Sequence, residues 1–228
     1  MKIAVHGITL FYEKTGRGDP LLLLHGNGED HRIFDKVVTK LSNDYTVYAL
    51  DSRCHGQSEK TRELSYSLMA EDTREFIRQL HLQKPVIYGF SDGGIIGLLL
   101  AIRFPDLLSR LIVSGANLNP AGMDNRFVRR CKWMYRLTRS KLWRLMAYEP
   151  DISPAELNRI QIPVFVLAGE KDLVPEEHTR LIAEQIPNST LKILEGEDHG
   201  SYVIHSEKLY RAIRDFLPSC HKKENCTK

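Results

Sequence analysis

The chain predicts an α/β domain: a mostly parallel, twisted sheet with helices on both faces and a short helical cap. Three observations carry that expectation. Short apolar runs rich in β-branched and aromatic residues alternate with segments of helical period along most of the 228 residues. Leu21-Leu22-Leu23-Leu24 is a continuous apolar run, as expected of a strand buried on both faces of its sheet. The length suits one well-buried core and is short for two, so residues 1–228 are expected to form one domain.

Residues 2–5 and 8–14 read as an opening antiparallel hairpin that runs into the turn cluster Thr15-Gly16-Arg17-Gly18-Asp19-Pro20. After the Leu21 to Leu24 strand, Ile33, Phe34, Val37, Val38 and Leu41 recur at helical spacing, and residues 45–50 return to strand. Leu68, Asp72, Phe76, Ile77 and Leu80 mark an amphipathic helix that stops before Pro85. Residues 85–90 form the next strand, and 95–104 an apolar helix closed by Pro105. Strands are expected at 110–114, 163–168 and 190–194, with helices over 175–186 and 205–217. The polar stretch from about residue 218 onward reads as a frayed tail.

Between about residues 116 and 150 the strand rhythm breaks. Arg126, Arg129, Arg130, Lys132, Arg136, Arg139, Lys141 and Arg144 are interleaved with aromatic and aliphatic residues, which predicts two short basic helices forming a reduced cap. Trp133, Met134 and Trp143 are expected to pack over the mouth of a site, with Trp133 touching substrate and the charges solvated. Ser153-Pro154-Ala155-Glu156 has a cap residue, proline at the first helical position and Glu at the third, so a short helix leads back to the sheet.

A net charge of +3 is too small to argue for nucleic acid. No apolar run approaches the roughly 20 residues that span a bilayer, and the first seven residues do not read as a signal peptide. A cytoplasmic protein without stable membrane association is expected. Its four cysteines should then stay reduced. No His/Cys/Asp cluster has metal-ligand spacing, so neither metal nor cofactor is expected. Oligomeric state is not legible.

The chemistry concentrates in five short segments. Gly89-Phe90-Ser91-Asp92-Gly93 fits G-x-S-x-G directly after a strand and before a helix, the setting of a nucleophile elbow. A serine hydroxyl needs a base to take its proton and a third group to hold that base. In the chain order Ser, acid, His, the acid is Asp172, after the 163–168 strand, and the base is His199, after the 190–194 strand. Glu170 and Asp198 compete for the acid's role, but an immediate neighbour such as Asp198 seldom folds back onto its own imidazole. His25-Gly26-Asn27-Gly28 fits a loop that completes an oxyanion hole, the backbone N–H of Asn27 joining that of Asp92. Asp51-Ser52-Arg53-Cys54-His55-Gly56-Gln57-Ser58 reads as a structural turn beside the site.

With these segments in this order, residues 8–217 resemble the α/β-hydrolase superfamily. Within it, Ser91-Asp92-Gly93-Gly94 followed by Ser114-Gly115-Ala116-Asn117 is similar to the valacyclovir hydrolase (biphenyl hydrolase-like) group. The resemblance implies a serine hydrolase of small carboxylic esters, including α-amino-acid esters. The Asp92 carboxylate would then meet a positive charge near the scissile carbonyl, unless it serves only the positive end of a helix dipole. Two departures stand out: Cys54 replaces the glycine usual in that turn, and the cap insertion is short. The alternatives are a carbon–carbon bond hydrolase of the same fold and, from another class, a ligand receptor or scaffold.

Overall fold

The computed structural model describes residues 1–218. The expected polar tail lies almost wholly outside the described residues. Eight strands make one sheet: β1 (Lys2–Val5), β2 (Ile8–Thr15), β3 (Asp19–Leu24), β4 (Tyr45–Leu50), β5 (Val86–Phe90), β6 (Arg110–Ser114), β7 (Val164–Lys171) and β8 (Ser189–Asp198). Their spatial order is β1-β2-β4-β3-β5-β6-β7-β8. The opening hairpin is antiparallel and β2 pairs antiparallel with β4, while every pairing from β4 to β8 is parallel.

Side chains alternate across a strand, so the apolar run of β3 divides between two cores. Leu22 and Leu24 join the first, with Ile87, Leu111, Val113 and Val166. Leu21 and Leu23 join the second, with Tyr88, Phe90, Ile112 and Leu167. Helices α2 (Tyr66–Gln79), α3 (Asp92–Arg103) and α6 (Glu176–Gln185) cover the first face; α1 (Asp35–Leu41) and α7 (Lys208–Ile213) cover the second. The sequence of α3 is apolar all round because nearly every residue of it is buried. Helix α7 is shorter than the 205–217 expected, its ends giving way to turns.

The cap consists of α4 (Asn125–Thr138) and α5 (Lys141–Tyr148), packed on each other. Helix α4 is longer than the periodicity suggests. Asp124 sets its start by accepting the N–H groups of Arg126 and Phe127. The chain returns through a 3-10 turn at Pro154–Arg159, where Glu156 accepts the Ser153 N–H at 2.9 Å. Cys54 and Cys131 are free thiols, while Cys220 and Cys226 lie outside the described residues. Among the described residues no helix is long and apolar enough to cross a membrane.

Cys54 has φ +66°, which explains why glycine suits that position: a Cβ is disfavoured in left-handed backbone. Its thiol contacts Thr61 at 3.4 Å. Beside it, Arg53 makes a buried bidentate pair with Asp72 at 2.5 and 2.6 Å, pinning the turn to α2.

Candidate active site

Ser91 sits between β5 and α3 with φ +52° and ψ −113°, a conformation that costs a non-glycine residue roughly 1–3 kcal/mol. Its N–H donates to the Ser114 carbonyl at 2.7 Å, anchoring the turn on the neighbouring strand. The flanking glycines are demanded by space. A Cβ on Gly89 would lie 2.2 Å from the Gly93 carbonyl oxygen, and one on Gly93 would lie 2.1 Å from that of Leu24.

The residues expected to be base and acid arrive from the other end of the sheet. Strands β7 and β8 run further than expected, past an irregularity at Gly169–Lys171, until Lys171 pairs with Asp198. Asp172 and His199 are therefore each the first residue beyond a paired position, held by the ladder rather than by loose loops. The His199 Nδ1–H donates to Asp172 Oδ1 at 2.6 Å, and His199 Nε2 lies 3.1 Å from the Ser91 Oγ. The carboxylate holds the proton on Nδ1, which leaves the Nε2 lone pair facing the hydroxyl. The Asp172 side chain is buried and also accepts the Val174 N–H at 3.0 Å. Gly115, at φ +61°, makes room for the ring: a Cβ there would stand 2.8 Å from His199 Cε1.

The competing acids are occupied elsewhere. Asp198 accepts the Gly200 and Ser201 N–H groups, capping its own turn, and Glu170 accepts the Gly196 N–H. Of these three acids, Asp172 is the one that meets the imidazole.

The loop after β3 is tied to the elbow by the Gly93 N–H, which donates to the His25 carbonyl at 3.1 Å. Burial pushes His25 down to about 4, so its ring is neutral. Nε2 accepts the Ser52 N–H, which leaves Nδ1–H to donate to the Gly26 carbonyl. The amides of Asn27 and Asp92 meet no acceptor among the described residues, and that of Asp92 is one of the free N–H groups at the start of α3. The two residues also touch through side chains: Asn27 Nδ2 donates to Asp92 Oδ2 at 3.0 Å. The Tyr66 hydroxyl donates to Asp92 Oδ1 at 2.7 Å. The Asp92 carboxylate is thus buried between two neutral donors, and burial raises its pKa.

Asn27, Tyr66 and Asp92 line a cavity of about 150 Å³ with Ser91 and His199 on its wall. The sequence model of the α/β hydrolase fold matches residues 19–140. The chain belongs to the α/β hydrolase fold family. As an α/β hydrolase it is 29% identical over 251 residues to Serine hydrolase BPHL of Homo sapiens, covering 95% of this chain and 85% of that protein. A thermophilic esterase from Thermogutta terrifontis superposes with a TM-score of 0.78 at 26% identity, covering 95% of this chain and 97% of its own. A meta-cleavage product hydrolase from Pseudomonas fluorescens IP01 shares the fold, with a TM-score of 0.75 at 18% identity over 95% of each chain.

The α/β hydrolase cap meets this cavity through Phe127 and Met146, joined by Met123 from the segment just before α4. Trp133, expected to touch substrate, does not line it and is 60% exposed. The reason is helical phase. Val128 and Cys131 face inward on α4, and a residue two positions past Cys131 is rotated about 200° to the outer side. Met134 and Trp143 are half-buried, and neither lines the cavity.

Sequence reasoning missed Tyr66 and Glu29. Tyr66 carries no motif and arrives only because Ser65 starts α2 there, accepting the Leu68 N–H. Glu29 lies one residue past the His25-Gly26-Asn27-Gly28 loop and accepts the Gly26 N–H at 2.9 Å. Away from the cavity, Asp30, His31 and Asp51 bring potential ligand atoms within 4.8 Å of one another, a grouping their spacing does not suggest. Asp51 is already engaged there by the His31 N–H, the His31 ring and the Gln57 N–H.

Burial pushes Glu29 up to about 7, its Gly26 hydrogen bond and His199 opposing the rise while Asp92 and Asp30 add to it. A carboxyl raised in the folded state binds its proton more tightly there than when unfolded. Its contribution to stability therefore falls as pH rises from about 4.5 to about 7 and is level above that. Glu29→Gln removes this charge and keeps an acceptor for Gly26. The variant is expected to gain about 2–3 kcal/mol on wild type between about pH 4 and pH 8. Paired urea melts at the two pH values check this, and a pH-independent difference would refute it.

Proposed function

We propose that the chain is a serine hydrolase that cleaves small carboxylic esters through an acyl-enzyme intermediate, with α-amino-acid esters among its substrates. The single observation that carries the reading is the continuous hydrogen-bonded path from Ser91 through His199 to Asp172. Ser91 Oγ attacks the ester carbonyl while His199 Nε2 takes its proton, and Asp172 stabilises the imidazolium. The Asn27 and Asp92 amides hold the oxyanion. His199 then protonates the leaving alcohol, and the same nitrogen activates the water that releases the acid. A cavity of about 150 Å³, walled by Met123, Phe127, Met146 and Val174, supports a small apolar acyl group. Labelling by a fluorophosphonate that forms its adduct on Ser91 tests the reading; an unlabelled Ser91 in folded protein refutes it.

The amino-ester part rests on Asp92. A carboxylate buried without a cation is costly, and a substrate ammonium offsets that cost. Asp92→Asn is therefore expected to lower kcat/KM for an α-amino ester at least about tenfold more than for its uncharged acyl analogue, about 1.4 kcal/mol of selectivity. An equal loss on both substrates would leave Asp92 only a structural place at the start of α3.

A further inference from the structure

The outer face of the cap has a composition that the reaction does not use. Residues 125–148 hold eight Lys/Arg and no Asp or Glu, so with a net charge of +3 for the whole chain the remainder carries −5. All eight basic side chains are exposed. Of the eight, only Arg144 has a carboxylate partner among the described residues, Glu149 at 3.4 Å.

The helical phase of α4 orders this charge. Arg126, Arg129, Arg130, Trp133, Arg136 and Leu137 recur at the spacings of a single helical stripe, opposite buried Val128 and Cys131. Trp133 and Leu137, one turn apart, are 60% and 66% exposed, among the most exposed large apolar side chains described. An aromatic and an aliphatic side chain held in water at the centre of a cationic face are unfavourable there. They would be relieved by a surface that is negatively charged outside and apolar just beneath.

We propose that this face of α4 docks the protein onto an anionic lipid surface, with the arginines at the headgroups and Trp133 and Leu137 reaching the acyl boundary. Charge complementarity and the apolar pair together select this occupant. A second copy of the chain paired by two-fold symmetry would bring two such cationic faces together and be repelled. Nucleic acid would satisfy the arginines and stack on Trp133, yet leave Leu137 without a partner. The solvated face expected from the sequence presumed that Trp133 packs inward, and it does not. The inner side of the same helix lends Phe127 to the cavity, so docking would bring the site close to the lipid.

The experiment is co-sedimentation of the whole chain with vesicles of phosphatidylcholine alone and of phosphatidylcholine with about one third phosphatidylserine. Wild type is expected to bind only the anionic vesicles at about 0.05 M salt and to be released at about 0.5 M. The W133A/L137A pair should weaken partitioning at least about tenfold, and R129E/R130E should abolish it. These residues are exposed, so thermal unfolding should be unchanged and serves as the control for folding. Failure to bind anionic vesicles at low salt, or equal binding by wild type and the W133A/L137A pair, would overturn the proposal. Binding to single-stranded RNA but not to vesicles would overturn it in favour of nucleic acid.

Discussion

Replacing Ser91 with alanine is expected to lower kcat for a p-nitrophenyl ester by about a millionfold and to leave the melting temperature nearly unchanged. Among the described residues the Ser91 side chain makes one hydrogen bond, to His199 Nε2, and it stands at the tip of the elbow, so its loss removes the proposed attacking atom without opening a core. Residual turnover above water would come from the Asn27 and Asp92 amides, which do not depend on the hydroxyl. Stopped-flow release of p-nitrophenol checks the outcome: wild type should show a burst equal to the enzyme concentration, and the variant none. Near-normal turnover by Ser91→Ala would refute the whole mechanism and place the nucleophile elsewhere, whereas neither burst nor turnover by the wild type would favour a receptor or scaffold.

The second large effect is expected from Asp172→Asn, a loss of about ten-thousandfold in kcat with little change in fold. The asparagine is nearly isosteric, so the 2.6 Å contact to His199 survives in shape. Its chemistry inverts. An amide N–H directed at Nδ1 favours the tautomer with the proton on Nε2, which then faces the Ser91 hydroxyl as a donor and cannot take its proton. The same change removes the negative charge that balances the imidazolium. Kinetics of both variants at saturating ester, with circular dichroism as the folding control, distinguish this from general destabilisation. An Asp172→Asn enzyme retaining more than about a tenth of wild-type kcat would move the acid's role to another carboxylate. Glu29 is then the first to test, because it shares the cavity wall with His199.

Much of the architecture follows from local patterns. The alternation of apolar strands and amphipathic helices, the continuous Leu21 to Leu24 run and the all-apolar α3 report burial on one or both faces, and burial depends on neighbours a few residues away. The elbow is legible for the same reason: the strained Ser91 and the glycines at 89 and 93 lie within five residues. The order of Ser91, Asp172 and His199 also stands in the linear sequence, together with the strands that precede the last two. On Trp133 the sequence reading erred in phase, since the helical period was right and only the side of α4 that faces the cavity was not.

By itself, then, the sequence determined the sheet class, the elbow and a short list of candidate groups for the chemistry, because each is written in spacings of one to about four residues. The tertiary structure decided which of those groups meet. The β7–β8 register carries Asp172, rather than Glu170 or Asp198, to a histidine 27 positions away, and brings that histidine to a serine 108 positions away. It placed Tyr66 and Asn27 on Asp92, put Glu29 in the cavity and turned Trp133 outward. Contacts of that range depend on strand register and on the phase of packed helices, which are settled by burying the whole apolar surface at once.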